Sequence, residues 1–200
     1  MRFDLIPKHR AKLANVNVEA LKMGQTELKP AITLRFKLTA ANTILNKLDK
    51  SLRPFFYEKA GSPAKGQPSL DGVEPVSDLP QLTNAAAKLG AFGWDDEQTG
   101  CTLKIYQGVT GDGDITLKEV TVNKVKVEPK EGGGVDVSFD AYATDLDAET
   151  MGELAVLHQH EVDIELVLPE PLQQPLPTKG SKETPESALA KSVKGETEKA

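Results

Sequence analysis

Cysteine is almost missing from this sequence. Cys101 is the only one in 200 residues, which excludes an intrachain disulfide and fits a reducing compartment. Histidine is nearly as scarce: His9, His158 and His160 are the full set. Aromatic residues make up 5 %, with a single tryptophan at Trp94. No apolar run approaches the roughly 18 residues of a membrane span, and no apolar h-region follows Met1-Arg-Phe-Asp. G-x-S-x-G, phosphate-loop, C-x-x-C and dinucleotide fingerprints are all lacking. These absences point away from membrane proteins and the common catalytic families. They favour a cytoplasmic, non-enzymatic protein with no metal, no cofactor and no membrane partner.

An excess of basic charge is lacking too. Lys and Arg number 24 against 30 Asp and Glu, for a net charge of −6 and a pI of about 5.2. Basic nucleic-acid-binding domains usually have a pI above about 9, so such a role would need a local basic face. Hydrophobic content is 38 %, and the shortfall lies in residues 1–30, 61–80 and after Pro169.

What is there is mostly period-two alternation. In residues 115–143, Val135, Val137, Phe139, Ala141 and Ala143 alternate with Asp136, Ser138, Asp140 and Tyr142. One set faces a core and the other solvent. Three glycines in Lys130–Gly134 tolerate positive φ and supply a hairpin turn. On the first arm of the hairpin the apolar positions change phase twice, from Ile115 and Leu117 to Val120 and Val122, then to Val125 and Val127. A two-residue period shifts phase only with an extra residue, which predicts a β-bulge near Lys118–Glu119, near Asn123–Lys124, or at both. Further strands are expected at Ala31–Thr39, Cys101–Val109 and Val162–Leu168.

Ile44, Leu45, Leu48 and Leu52 predict a helix capped by Asn42 and interrupted at Pro54. Phe55, Phe56 and Tyr57 continue its apolar stripe into the core. A second helix follows Asp145 or Asp147, with Met151, Leu154 and Ala155 inward and His158 at the core edge. His158 and His160, two apart on that helix, would point about 200° from each other and could not share a metal. Trp94 reads as a lid over the edge of the core. Asp112 and Asp114 resemble a calcium loop but lack its spacing and closing glutamate, so a turn explains them better.

The element order is that of a ferredoxin-like βα-βββ-αβ domain. The expected fold is α+β over residues 28–170, with an antiparallel or mixed sheet of about five strands and two helices on one face. A flexible arm covers residues 1–27, with a basic cluster of Lys8, His9, Arg10 and Lys12 suited to a phosphate or a partner. A long loop covers 61–80. A tail over 171–200, rich in Pro, Lys, Glu, Ser and Thr, is expected to be disordered.

No residue set reads as catalytic. The candidate surface is the outward sheet face, where Arg35, Lys37, Lys104, Tyr106, Lys124, Lys126 and Tyr142 mix with Asp136, Asp140, Asp163 and Glu165. Basic residues with interleaved aromatics suit single-stranded nucleic acid. The acidic residues on that face, with Asp95–Glu97, suit a different role, that of a nucleic-acid-like decoy.

Three segments, LANVNVEALKMGQTELKPAITLRFKLT, TLKEVTVNKVKVEPKEGGGVDVSFDAYA and DAETMGELAVLHQHEVDIEL, together resemble a family of small tailed-phage and prophage proteins with no assigned activity. The resemblance spans residues 13–168 and implies a phage product at work in the bacterial cytoplasm. Its expected role is an accessory that binds single-stranded nucleic acid or the replication and recombination machinery. The alternatives are an inhibitor or acidic decoy of a host defence enzyme, and a minor virion or assembly component.

Overall fold

The longest strand lies where the sequence suggested a polar arm. In the computed structural model, which describes residues 2–23, 27–59, 78–108, 111 and 113–169, Leu5–Met23 form β1. Glu27–Ala41 (β2) pair with it antiparallel, from Met23 opposite Glu27 to Lys12 opposite Lys37. The other long strands are Gln98–Tyr106 (β6), Ile115–Pro129 (β7), Gly134–Thr144 (β8) and Glu161–Val167 (β9). Tyr57–Glu58 (β3) and Gln81–Leu82 (β4) form a small separate sheet, and Phe92–Trp94 (β5) adds to β7.

The main sheet runs β7-β6-β9-β1-β2-β8, and β8 pairs back onto β7. Six antiparallel strands therefore close into a barrel, with β5 as an extra strand. Closure leaves the inner face to the barrel's own side chains. Phe3, Phe36 and Phe139 fill it, Phe139 lying 5.4 Å from the Phe3 ring and 5.5 Å from the Phe36 ring. Leu13, Leu34, Leu103, Ile105, Leu117, Ile164 and Leu166 are buried around them. A barrel of about eight strands already has an interior only just wide enough for side chains, and six is narrower, so this one is a core and not a carrier cavity.

This overturns the α+β expectation. A ferredoxin-like sheet has one face free for two helices; a closed barrel has no such face. The helices are short: Leu45–Leu48 (α1), Leu52–Phe56 (α2), Asn84–Leu89 (α3) and Ala148–Val156 (α4). The stripe of Ile44, Leu45 and Leu48 is buried as expected, but the helix ends at Asp49, whose backbone is extended. Asn42 does not cap it. Asn42 is itself buried, donating to the Leu79 carbonyl at 2.7 Å and accepting from Arg53 Nε at 3.0 Å. Of the aromatic trio, Phe56 and Tyr57 are core and Phe55 is exposed. Asp147 does cap α4, accepting from the Thr150 amide at 2.7 Å.

The β7–β8 hairpin and both of its bulges are present. Leu117 and Val120 face Leu103 and Cys101, so β7 holds an extra residue at Lys118–Glu119, where Glu119 has φ 54°. Asn123 and Lys126 face Asp140 and Ser138, so a second extra residue falls at Lys124–Val125, with Lys124 at φ 50°. All three β7 phases thus bury their apolar residues. The Tyr57 hydroxyl clamps the turn, donating to the Gly134 carbonyl at 2.5 Å and accepting from the Lys130 amide at 3.0 Å. Burial pushes that hydroxyl's pKa up.

His158 and His160 lie beyond the end of α4 and are exposed, so the core-edge position for His158 is corrected. Trp94 is half-buried against the core. Asp114 closes its turn by accepting from the Gln107 amide at 2.9 Å, while Asp112 lies outside the described residues. Most of the 61–80 loop and the whole 171–200 tail lie outside them too.

Candidate nucleic-acid interface

Because side chains alternate along each strand, every outward residue of the barrel belongs to a row that crosses the strands in register. One row stands out. Lys12 of β1 is opposite Lys37 of β2; Lys37 is opposite Ser138 of β8; Ser138 is opposite Lys126 of β7. Three lysines and a serine thus cross four neighbouring strands. With strands roughly 4.8 Å apart, the row spans about 14 Å at the backbone.

On both flanking rows the charges are paired with one another, Arg35 and Lys124 sharing the Asp140 carboxylate, and Asp136 and Glu128 sharing the Lys130 ammonium. On one, Asp140 of β8 accepts two hydrogen bonds from Arg35 of β2, at 2.6 and 2.8 Å, and the Lys124 ammonium lies 3.6 Å away. The β7 bulge directs Lys124 there. The Asp140 side chain is 3 % exposed, against 47 % for Arg35. Burial pushes the Asp140 pKa up, but the hydrogen bonds and charge of Arg35, helped by Lys124, outweigh it and hold the carboxyl below its ordinary value. The same bonds push the Arg35 pKa up. On the other flank Asp136 accepts from Thr39 Oγ1 at 2.6 Å and lies 3.4 Å from Lys130, which also bridges Glu128 at 2.7 Å. Glu161, opposite Lys12 on β9, is held by Arg10 at 3.0 Å.

No carboxylate bridges Lys12, Lys37 or Lys126 among the described residues. The row floors a shallow, open depression lined by Arg10, Lys12, Arg35, Lys37, Lys124 and Lys126, with Glu128, Asp136 and Glu161 among them. No aromatic residue lines it among the described residues.

The seven candidates of the outward face therefore separate. Arg35, Lys37, Lys124 and Lys126 come together. Lys104 and Tyr106 stand on β6, opposite Glu165 and Asp163 of β9. Tyr106 donates its hydroxyl to Glu165 at 2.5 Å, a bond that raises its pKa, and Lys8 sits 5.1 Å over its ring. Tyr142 is half-buried on β8, one outward position past Asp140 and between Thr33 and Thr121. The aromatics do not interleave with the basic row, because they sit in other rows. The residues that sequence reasoning placed in an arm, Arg10 and Lys12, belong to this surface. The signal for them was the alternation Arg10-Ala11-Lys12-Leu13, with Ala11 and Leu13 buried.

The acidic positions of the same face are also engaged: Asp163 pairs with Lys8 at 3.3 Å, and Glu165 with Tyr106. No group of three or more metal-ligating side chains occurs among the described residues, and no helix there is long and apolar enough to cross a membrane. No protein-family model, curated protein or solved structure matches this chain, so the phage resemblance stands on its quoted segments alone.

Proposed function

We propose that the chain is a non-enzymatic accessory protein, of phage origin and acting in the host cytoplasm, that holds nucleic acid by its phosphates against the outer face of the barrel. The observation that supports this reading is the Lys12–Lys37–Ser138–Lys126 row, whose ammonium groups have no carboxylate bridge among the described residues, while the neighbouring cations Arg10, Arg35, Lys124 and Lys130 are each committed to a carboxylate. A net-acidic chain then binds through one basic strip, and affinity is weak and salt-dependent, on the order of 10 μM at low salt for sequence-independent contacts. Fluorescence anisotropy of a short labelled single-stranded DNA, titrated with the protein at low salt, tests it. No binding at tens of micromolar protein removes the reading.

The rival reading, an acidic decoy of a host enzyme, has less to stand on. Its surface carboxylates Asp136, Asp140, Asp163 and Glu165 are each covered by a cation or a hydroxyl. What remains for it is the exposed Asp95–Glu97 segment between β5 and β6, where Asp96 already accepts from the Glu97 amide at 3.0 Å. A salt-sensitive, nuclease-insensitive host partner in a pull-down, lost on replacing those three residues, would favour the decoy over nucleic acid.

A further inference from the structure

We propose that the Lys12–Lys37–Ser138–Lys126 row is a track for consecutive phosphates, laid across the β-strands, that recognises the anionic chain and neither base nor sugar. The proposal rests on the nucleic-acid reading above and gives it a direction, a footprint and a specificity.

Lys12 and Lys37 are directly opposite across an antiparallel pair. Like charges so placed repel, and a sheet that only needed a solvated face has no use for the arrangement. An anion between the two ammonium groups turns that repulsion into attraction. Among the described residues, the carboxylates around the depression are occupied: Glu161 by Arg10, Asp140 by Arg35 and Lys124, Asp136 by Thr39 and Lys130, Glu128 by Lys130. The Arg35–Lys124–Asp140 flank keeps one net positive charge and the Asp136–Glu128–Lys130 flank one net negative, so a bound chain of charges lies along the row and toward its Arg35 side. Ser138 lies between Lys37 and Lys126, and its hydroxyl is a neutral donor suited to a phosphate oxygen. A length of about 14 Å suits about three phosphates in sequence. With the tyrosines in other rows, no described residue of the depression stacks on a base, so phosphate contacts carry the affinity.

The chemistry recognised is a linear run of phosphates, which comes from nucleic acid or from inorganic polyphosphate. The test uses the full chain and labelled single-stranded oligonucleotides of thymine, adenine and uracil, with inorganic polyphosphate as competitor. For about three phosphates, log affinity should fall against log salt with a slope of about −2, at about 0.7 per phosphate on a single strand. Lys12→Gln, Lys37→Gln and Lys126→Gln should each flatten the slope by about 0.7, and the triple variant should abolish binding. Lys104→Gln, outside the depression, should change nothing. The three oligonucleotides should bind within about twofold of one another, and polyphosphate should displace them. Unchanged melting temperatures show that the variants fold.

DNA binding that survives in the triple variant overturns the track and leaves the nucleic-acid reading standing. Preference for one base by more than about tenfold overturns the phosphate-only specificity. Polyphosphate binding through the three lysines with no DNA binding keeps the track and overturns the nucleic-acid reading. No binding of either polyanion overturns both.

Discussion

Arg35 and Asp140 show how position decides what a charged residue does. On sequence alone Arg35 is a candidate contact on an outward face. In the barrel its guanidinium is spent on Asp140 through two hydrogen bonds. Asp140 is the buried member of the pair and Arg35 the half-exposed one. Removing Arg35 therefore strands a buried carboxylate, with Lys124 at 3.6 Å its remaining cation. Removing the Asp140 charge leaves an arginine that water can reach. Arg35→Ala should cost about 3 kcal/mol and Asp140→Asn about half of that, read from urea unfolding. A larger loss for Asp140→Asn would mean that the pair is not asymmetric. The pH dependence has the sign of a depressed acid. With its folded pKa below the unfolded value of about 3.9, Asp140 stabilises the protein above that value. The contribution disappears as pH falls through the folded pKa. Asp140→Asn should shallow the acid limb of the stability curve and leave neutral pH to the mutational cost alone.

At the scale of elements, the basic row and the hairpin behave in opposite ways. Lys37→Glu replaces a like-charge pair with Lys12 by an opposite-charge one, which should raise stability by about 0.5 kcal/mol while weakening polyanion binding. A melting temperature that drops instead would mean that the two lysines do not repel in the folded state. Phe139, buried mid-strand on β8 between Phe3 and Phe36, is different: Phe139→Ala should cost roughly 3–5 kcal/mol. Tyr142→Ala, three residues on and facing outward, should stay within about 1 kcal/mol. Equal losses in thermal melts would show that the outer face of β8 is covered. The hairpin, its two bulges, β2, β6 and β9 were legible because alternation and its phase slips are local properties. β1 was not. Its ladder to β9 slips between Leu5 and His9 and its ladder to β2 between Leu13 and Asn15, so its inward residues, Leu5, Ala11, Leu13 and Val16, keep no constant spacing. With β1 read as an arm, no barrel could be assembled, and the remaining strands read as an open sheet. The candidate site suffered in step: Lys37, Lys124 and Lys126 were visible on their strands, but Lys12 had no row to join until β1 paired with β2.

For the whole molecule, closure makes the segment before β1 part of the core. Phe3 is fully buried, its ring 5.4 Å from Phe139, and its backbone is bonded on both sides to one side chain. The Phe3 amide donates to Gln98 Oε1 at 3.0 Å, and Gln98 Nε2 donates to the Phe3 carbonyl at 3.0 Å. Gln98 Nε2 also lies 3.1 Å from the Cys101 sulfur, which is buried and whose pKa is pushed up by that burial. A buried, protonated thiol is inert, because the thiolate is the nucleophile. Cys101 therefore reports on whether Phe3 is in place. Removing the side chain by Phe3→Ala empties a fully buried site against Phe139 and should cost roughly 3–5 kcal/mol. Deleting residues 1–4 adds the loss of both Gln98 hydrogen bonds in a buried setting, where an unsatisfied group costs about 1–3 kcal/mol more. The two variants should then rank in that order in urea unfolding. Both should open Cys101 to a thiol reagent at neutral pH, at rates well above the intact chain. Fast labelling of the intact chain would show that the thiol is reached without losing Phe3. A truncated chain with unchanged stability and a still-protected thiol would show that the barrel closes without it.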